Sequence, residues 1–199
     1  MKRLSILLLL IAGTTSTMAQ GDFKTQLSTA KKSYNAGKLE EAHFALQQAL
    51  QELDIVIGKE VLKLMPQKLD SLASNSKDDK VTVNAGFIGA TIHRSYGIRS
   101  QLEVEIINNS PMIGTLNTFL NSSLLGGMMR DENTKVVKVQ GYKARLEKQG
   151  ANENGSINYT LQIPFNNALM SITSSGLTES QVLAAANSFP IQEIAKLIQ

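Results

Sequence analysis

The side chains able to do chemistry are few: 199 residues carry two histidines, 17 aspartates and glutamates, and no cysteine. His43 falls in a helical pattern and His93 at the edge of a strand pattern. Neither has a histidine four residues away or a cysteine pair beside it, the spacings that hold a zinc ion, so no metal ligands are assigned. No serine stands in a Gly-x-Ser-x-Gly turn, and no glycine-rich loop with Lys and Ser/Thr follows a strand to cradle phosphate. Gly126-Gly127 lacks the lysine and the preceding strand, and marks a helix end instead. The acid pairs Asp78-Asp79 and Asp131-Glu132 lie in polar turns, where solvated charge is far commoner than proton transfer. A hydrolase would have to be built on His93 with Glu103 or Glu105. The expectation is a non-enzyme with no catalytic, cofactor-binding or metal-binding residues.

The elements that would position any site divide the chain in two. From Tyr142 to Thr173 the apolar residues fall on every second position. Ile157, Tyr159, Leu161 and Ile163 alternate with Asn158, Thr160 and Gln162, the pattern of a strand with one buried face. Tyr142, Ala144 and Leu146 form the preceding strand, joined through the polar run containing Asn-Gly, and Ala168, Met170 and Ile172 form the next. Pro164 and Asn166-Asn167 are expected to interrupt the ladder between them. Upstream, Val81, Val83, Ile88, Ala90 and Ile92, then Leu102, Val104 and Ile106, predict two strands, with Gly86 and Gly89 as bulges. Ser110-Pro111 starts a helix that runs through Leu124 to Gly126. Val137 and Val139 return the chain to the sheet, and at Gly141 the apolar phase flips from odd to even, as a bulge would cause. Thr178 with Gln181 forms a capping box, and Ile191, Ile194, Ala195 and Ile198 line a last helix after Pro190.

Residues 20–66 carry the period of a helix. Ala30 and Tyr34 precede Gly37, which suits a left-handed helix end; Leu39, Ala42, Leu46, Ala49, Leu50, Leu53, Ile57, Val61 and Leu64 then form a stripe closed by Pro66. Gly58 offers a bend. The stripe is expected to pack on the chain's own sheet, and Tyr34 is a candidate for an interaction surface. Leu125, Met128 and Met129, apolar and beside a charged turn, are the other candidates. The polar stretch 67–80 is assigned as a linker.

Residues 1–19 have a basic head at Lys2 and Arg3, the apolar run Leu7 to Ala12, and small residues at Thr17 and Ala19. That is the layout of a secretory signal cleaved between Ala19 and Gln20, and the run is short of the roughly 20 residues a spanning helix needs. Removal of Lys2 and Arg3 would leave 18 basic against 17 acidic residues, a net charge of +1. A near-neutral mixture of that kind offers no footprint for nucleic acid. With no cysteine, a chain in an oxidising compartment must be held by its core. The expected location is the periplasm or exterior of a Gram-negative bacterium, with a protein partner in the cell envelope.

Three resemblances add to this. Ala30, Tyr34, Gly37, Ala42, Leu46 and Ala49 match the signature spacing of a tetratricopeptide repeat, over about 25 residues and without a second copy 34 residues on. The resemblance implies a helical hairpin; one hairpin cannot form the concave groove of an array. Asp70-Ser71-Leu72 resembles the acceptor motif of periplasmic O-glycosylation, which implies Ser71 as the modified residue. Asn108, Asn121, Asn154 and Asn158 also begin Asn-x-Ser/Thr triplets, which a bacterial exported chain leaves unused. The element order over residues 80–199 is similar to the PsbP-like group of secreted and lumenal domains, whose members mostly bind or stabilise partners.

The expected fold is α+β: a signal at 1–19, a helical hairpin at 20–66, a linker at 67–80, and at 81–199 an antiparallel sheet in the order β-β-α-β-β-β-α with helices packed on one side. The first functional reading is an exported, non-catalytic protein-interaction module. The second is a carrier holding a small apolar ligand between sheet and helices, which requires a closed cavity of roughly 300 Å3 or more. The third is the hydrolase named above.

Overall fold

In a computed structural model, residues 23–83, 89–122, 133–151, 155 and 157–198 are described. The signal positions Ala19 and Gln20, and Leu125, Met128 and Met129, lie outside them, as do Gly86, Ile88, Gly126-Gly127, Asp131-Glu132 and Asn154.

Helices α1 (Phe23–Asn35) and α2 (Leu39–Leu64) form the N-terminal hairpin. Gly37 takes φ +74° between them, and Lys38 donates its amide back to Ser33 O, closing the first helix through the left-handed residue its lack of a Cβ permits. Glu40 and Glu41 occupy the first turn of α2, where carboxylates suit the helix dipole. The helix is 26 residues long and stops at Met65, ahead of Pro66.

The stretch assigned as a linker is folded. Strands β1 (Lys68–Leu69) and β2 (Leu72–Ala73) make a small hairpin with Asp70 at φ +51°, and a 3₁₀ turn at Ser76–Asp78 leads to the main sheet. Its polarity misled, because Leu69 alone is buried there while Lys68, Asp70 and Ser71 stay wet.

The main sheet holds β3 (Lys80–Val83), β4 (Ala90–Tyr96), β5 (Leu102–Asn108), β6 (Thr134–Val139), β7 (Tyr142–Ala151), β8 (Ile157–Phe165) and β9 (Ala168–Ser175), in the order β3-β4-β5-β9-β8-β7-β6 and antiparallel throughout. Its strands outnumber those in the expected order, since Val81 and Val83 form a strand separate from Ala90 and Ile92, and Val137 and Val139 one separate from Tyr142, Ala144 and Leu146. One row of Cα partners runs Arg94, Val104, Ile172, Leu161, Leu146 across five strands; the next runs Ile92, Ile106, Met170, Ile163. These side chains are buried, at about 1.5–3 kcal/mol for each large apolar one. Helices α4 (Glu179–Asn187) and α5 (Ile191–Leu197), with the C-terminal part of α2, cover that face, giving the α+β arrangement with helices gathered on one side. A short α3 (Ile113–Asn121) makes a second, minor cluster with Leu169 on the other face, where the Arg145 guanidinium lies 5.6 Å over the Phe119 ring.

Four local expectations change. The phase flip at Gly141 is a two-residue turn with both Gln140 (φ +48°) and Gly141 (φ +89°) left-handed, not a bulge. Across such a turn residue i pairs with i+3, here Val139 with Tyr142, so the buried set must change parity. Pro164 does not break its strand: β8 continues to Phe165, because pairing with β7 ends at Gln162 and the missing N–H falls where one neighbour is already gone. Helix α3 starts at Ile113 rather than after Ser110, whose hydroxyl accepts the Met112 amide within the preceding turn. Gly89, expected as a bulge, opens β4 at φ +138° with Asn108 O only 2.5 Å from where a Cβ would sit. At the other end of the fold, the Thr178–Gln181 capping box forms.

Gly58 is a docking point, not a bend. A Cβ there would lie 2.5 Å from Val81 Cγ1 and 3.3 Å from Ile92 Cγ1. Alanine would gain about 1 kcal/mol of helix propensity, but the stiff valine cannot swing aside and overpacking costs about 1–3 kcal/mol. Gly58→Ala is therefore expected to lose about 1 kcal/mol net in urea unfolding; a gain in stability would show that α2 does not rest on the sheet at this point.

Candidate functional site

The apolar stripe of α2 divides in two. From Gly58 onward it is buried against the sheet, with Val61 and Met65 almost fully enclosed. Before it, Leu39, Leu46, Leu50 and Leu53 remain 39–64% exposed. Among the described residues the sheet meets α2 from Asp54 onward, at Val81, Gly89 and Ile92 and, at the helix end, at Arg94, so the N-terminal half of α2, with α1 on it, projects beyond that cover.

Between the two helices small residues permit close approach: Ala30 and Ser33 of α1, and Ala42, Ala45 and Ala49 of α2, are buried in their seam. Beside the seam the larger Leu27, Tyr34 and Leu46 leave an open groove of about 650 Å3, walled almost wholly by carbon, with Lys24 and Lys31 on its α1 rim. Tyr34, expected at a surface, is 67% exposed there. The opposite side of the hairpin carries a second, more polar groove of about 490 Å3, with Glu40, Glu41 and Phe44. Lys38 closes on Glu41 at 2.9 Å, and Ser33 Oγ donates to the same carboxylate. Lys24, Lys31 and Leu27 were missed in the sequence; the available signal was a helix α1 with three lysines and no acid.

Asp54 marks where the projecting part ends. Its carboxyl is held above the ordinary carboxylate range by burial, and the Gly89 amide that donates to it offsets part of the rise. A carboxyl whose folded pKa is raised withholds stability once pH climbs through that pKa, and restores it fully only below the unfolded value. Asp54→Asn, which keeps an acceptor for Gly89, should thus be more stable than the wild type at pH 7, and the gap should close as pH falls toward 4. Parallel stability curves, with no narrowing in acid, would exclude that cost.

The other candidates separate. His43 is exposed on α2. His93 pairs with Glu105 on β5 and with Lys80 on β3, on the uncovered sheet face, while Glu103 lies opposite Ser95; among the described residues no hydrogen bond joins His93 to either glutamate. Ser71 is exposed at the tip of the β1–β2 hairpin, beside a small cavity of about 120 Å3 shared with Leu177 and Gln181. Asn108 ends β5, Asn121 ends α3 and receives Lys143 Nζ, and Asn158 lies within β8. Among the described residues no cluster of His, Asp and Glu could hold a metal ion, and no helix is long and apolar enough to cross a membrane. No protein family, curated protein or solved structure matches this chain.

Proposed function

We propose that the chain is an exported, non-catalytic interaction module that holds a partner protein in the α1–α2 groove. The observation that carries this is the split stripe of α2: an amphipathic helix continues its leucines well past the sheet that covers them, next to an open apolar groove. Exposed apolar patches of that kind mark contact surfaces in folded proteins. The carrier reading has less behind it. The space between sheet and helices is filled by Tyr96, Met170, Leu161 and Phe189, all fully buried, and the cavity near Ser71, at about 120 Å3, is well below the roughly 300 Å3 of a ligand site. His93 and Glu105 sit on an open sheet face with no hydrogen bond between them, a poor setting for hydrolysis.

The test is capture from a cell-envelope fraction with tagged wild type, Leu46→Glu, and Glu105→Lys as a control on the exposed sheet face. Leu46 is 47% exposed, so the charge should leave the unfolding midpoint nearly unchanged. A central interface leucine replaced by a carboxylate is expected to weaken capture about tenfold or more. Undiminished capture by Leu46→Glu, with loss in Glu105→Lys, would move the contact to the sheet.

A further inference from the structure

We infer that the occupant of the α1–α2 groove is an amphipathic helix of a partner protein that carries carboxylates along one flank. The inference rests on the groove being the docking surface, and names the chemistry of what docks.

The floor of the groove, from Leu27 and Ala30 to Leu46, calls for apolar side chains. An extended strand would bring unpaired backbone groups onto carbon walls, whereas a helix satisfies its own and offers leucines at steps of three and four. The rim supplies the second requirement. Lys24 and Lys31 are seven residues apart on α1, two turns or about 10.5 Å along the axis, and both line the groove. Both are exposed, and neither makes an ion pair among the described residues. Helix α1 contains no acid to neutralise them. No carboxylate of α2 lines this groove: Glu40 and Glu41 line the opposite one, Asp54 accepts from Gly89, Glu60 pairs with Lys63, and Glu52 is not among the residues of the wall. A helix laid over the apolar floor without acids would strip water from two ammonium groups and give nothing back; glutamates or aspartates seven residues apart would meet both.

A second copy of this chain fits less well. Within its own hairpin the acids nearest the groove, Glu40 and Glu41, are on the far side, so a second hairpin could offer those two only head to tail, in a contact that does not close on itself.

The probes are two synthetic helical peptides with one leucine stripe, one bearing glutamates and the other lysines at the flanking positions. Each is titrated by fluorescence anisotropy against the full chain and against Lys24→Glu/Lys31→Glu, whose exposed positions leave the fold intact by circular dichroism. The glutamate peptide should bind the wild type about tenfold tighter than the lysine peptide at low salt, the gap should narrow at high salt, and the double variant should reverse the order. Equal binding of both peptides, or of neither, overturns the acidic helix. So does concentration-dependent self-association in sedimentation that Leu46→Glu abolishes, which would make a second copy the occupant. The capture experiment with Leu46→Glu is independent of these outcomes: if it still loses the partner while the peptides fail, the docking surface stands and only its occupant was misjudged.

Discussion

Asp79→Ala is expected to lower the unfolding free energy by roughly 3–5 kcal/mol, the usual cost of removing one partner from a buried ion pair. Arg94 is 3% exposed and lies on the covered face of β4, among the apolar residues of the core. Its Nε and one terminal nitrogen both donate to the Asp79 carboxylate, at 2.9 and 2.5 Å, and the other terminal nitrogen donates to Met65 O at 3.0 Å. The hydrogen bond to Asp79 is the main reason the Arg94 pKa is raised, against the opposing effect of burial. The guanidinium thus stays charged at every working pH, and removal of its partner strands a cation in the core. The same group ties the end of α2 to β4 and the 3₁₀ turn, so the variant should also loosen the base of the hairpin. Urea midpoints at constant slope measure the loss. Replacement of both partners, Arg94→Met with Asp79→Leu, should cost far less than the single change, since an apolar pair of similar volume removes the stranded charge. A loss below about 1 kcal/mol for Asp79→Ala would mean that the pair is solvated and contributes as a surface pair does.

Phe189→Ala is expected to be as costly, at about 3–5 kcal/mol. Phe189 is fully buried between α4 and α5 and meets Tyr96 edge-on, with ring centres 6.0 Å apart and planes at 84°. Tyr96 is itself enclosed; its hydroxyl donates to Pro66 O at 2.9 Å, and burial pushes its pKa up to about 12. The ring of Phe189 is therefore the wedge behind a tyrosine that fastens Pro66, just past the end of α2. Truncation would leave a cavity that neither the helix pair nor the sheet can close, and the lost dispersion contacts add to the transfer term. Phe189→Leu keeps much of the volume and should lose less than half as much. If thermal unfolding of Phe189→Ala moved by only a degree or two, the α4–α5 junction would have to be free to collapse, contrary to its full burial.

Both residues were invisible as fasteners in the sequence. Phe189 preceded a proline between two short helices, and Arg94 occupied a core position of a strand where period two calls for an apolar residue. Local pattern reports which face a residue is on; it carries no record of which distant atom it meets there. Asp79 is 15 residues and Met65 is 29 residues from Arg94, and the bonds among them exist only after the chain has closed. The structure within 67–80 was hidden for the same cause, since it is held by contacts such as Asn75 Nδ2 donating to Ser95 Oγ and Gly97 O.

The alternation of Tyr159, Leu161 and Ile163, the Thr178 cap and the Gly37 helix end were legible because each depends on the backbone geometry of a few consecutive residues: strand period, helix-end amides, a left-handed φ. These set the α+β class and the two-helix beginning. Which half of the α2 stripe is covered was decided elsewhere, by where β3 and β4 come to rest. Leu46 and Val61 carry the same sequence signal, yet one lines an open groove and the other is sealed, because burial belongs to the pair of surfaces that meet and a single helix specifies only one of them.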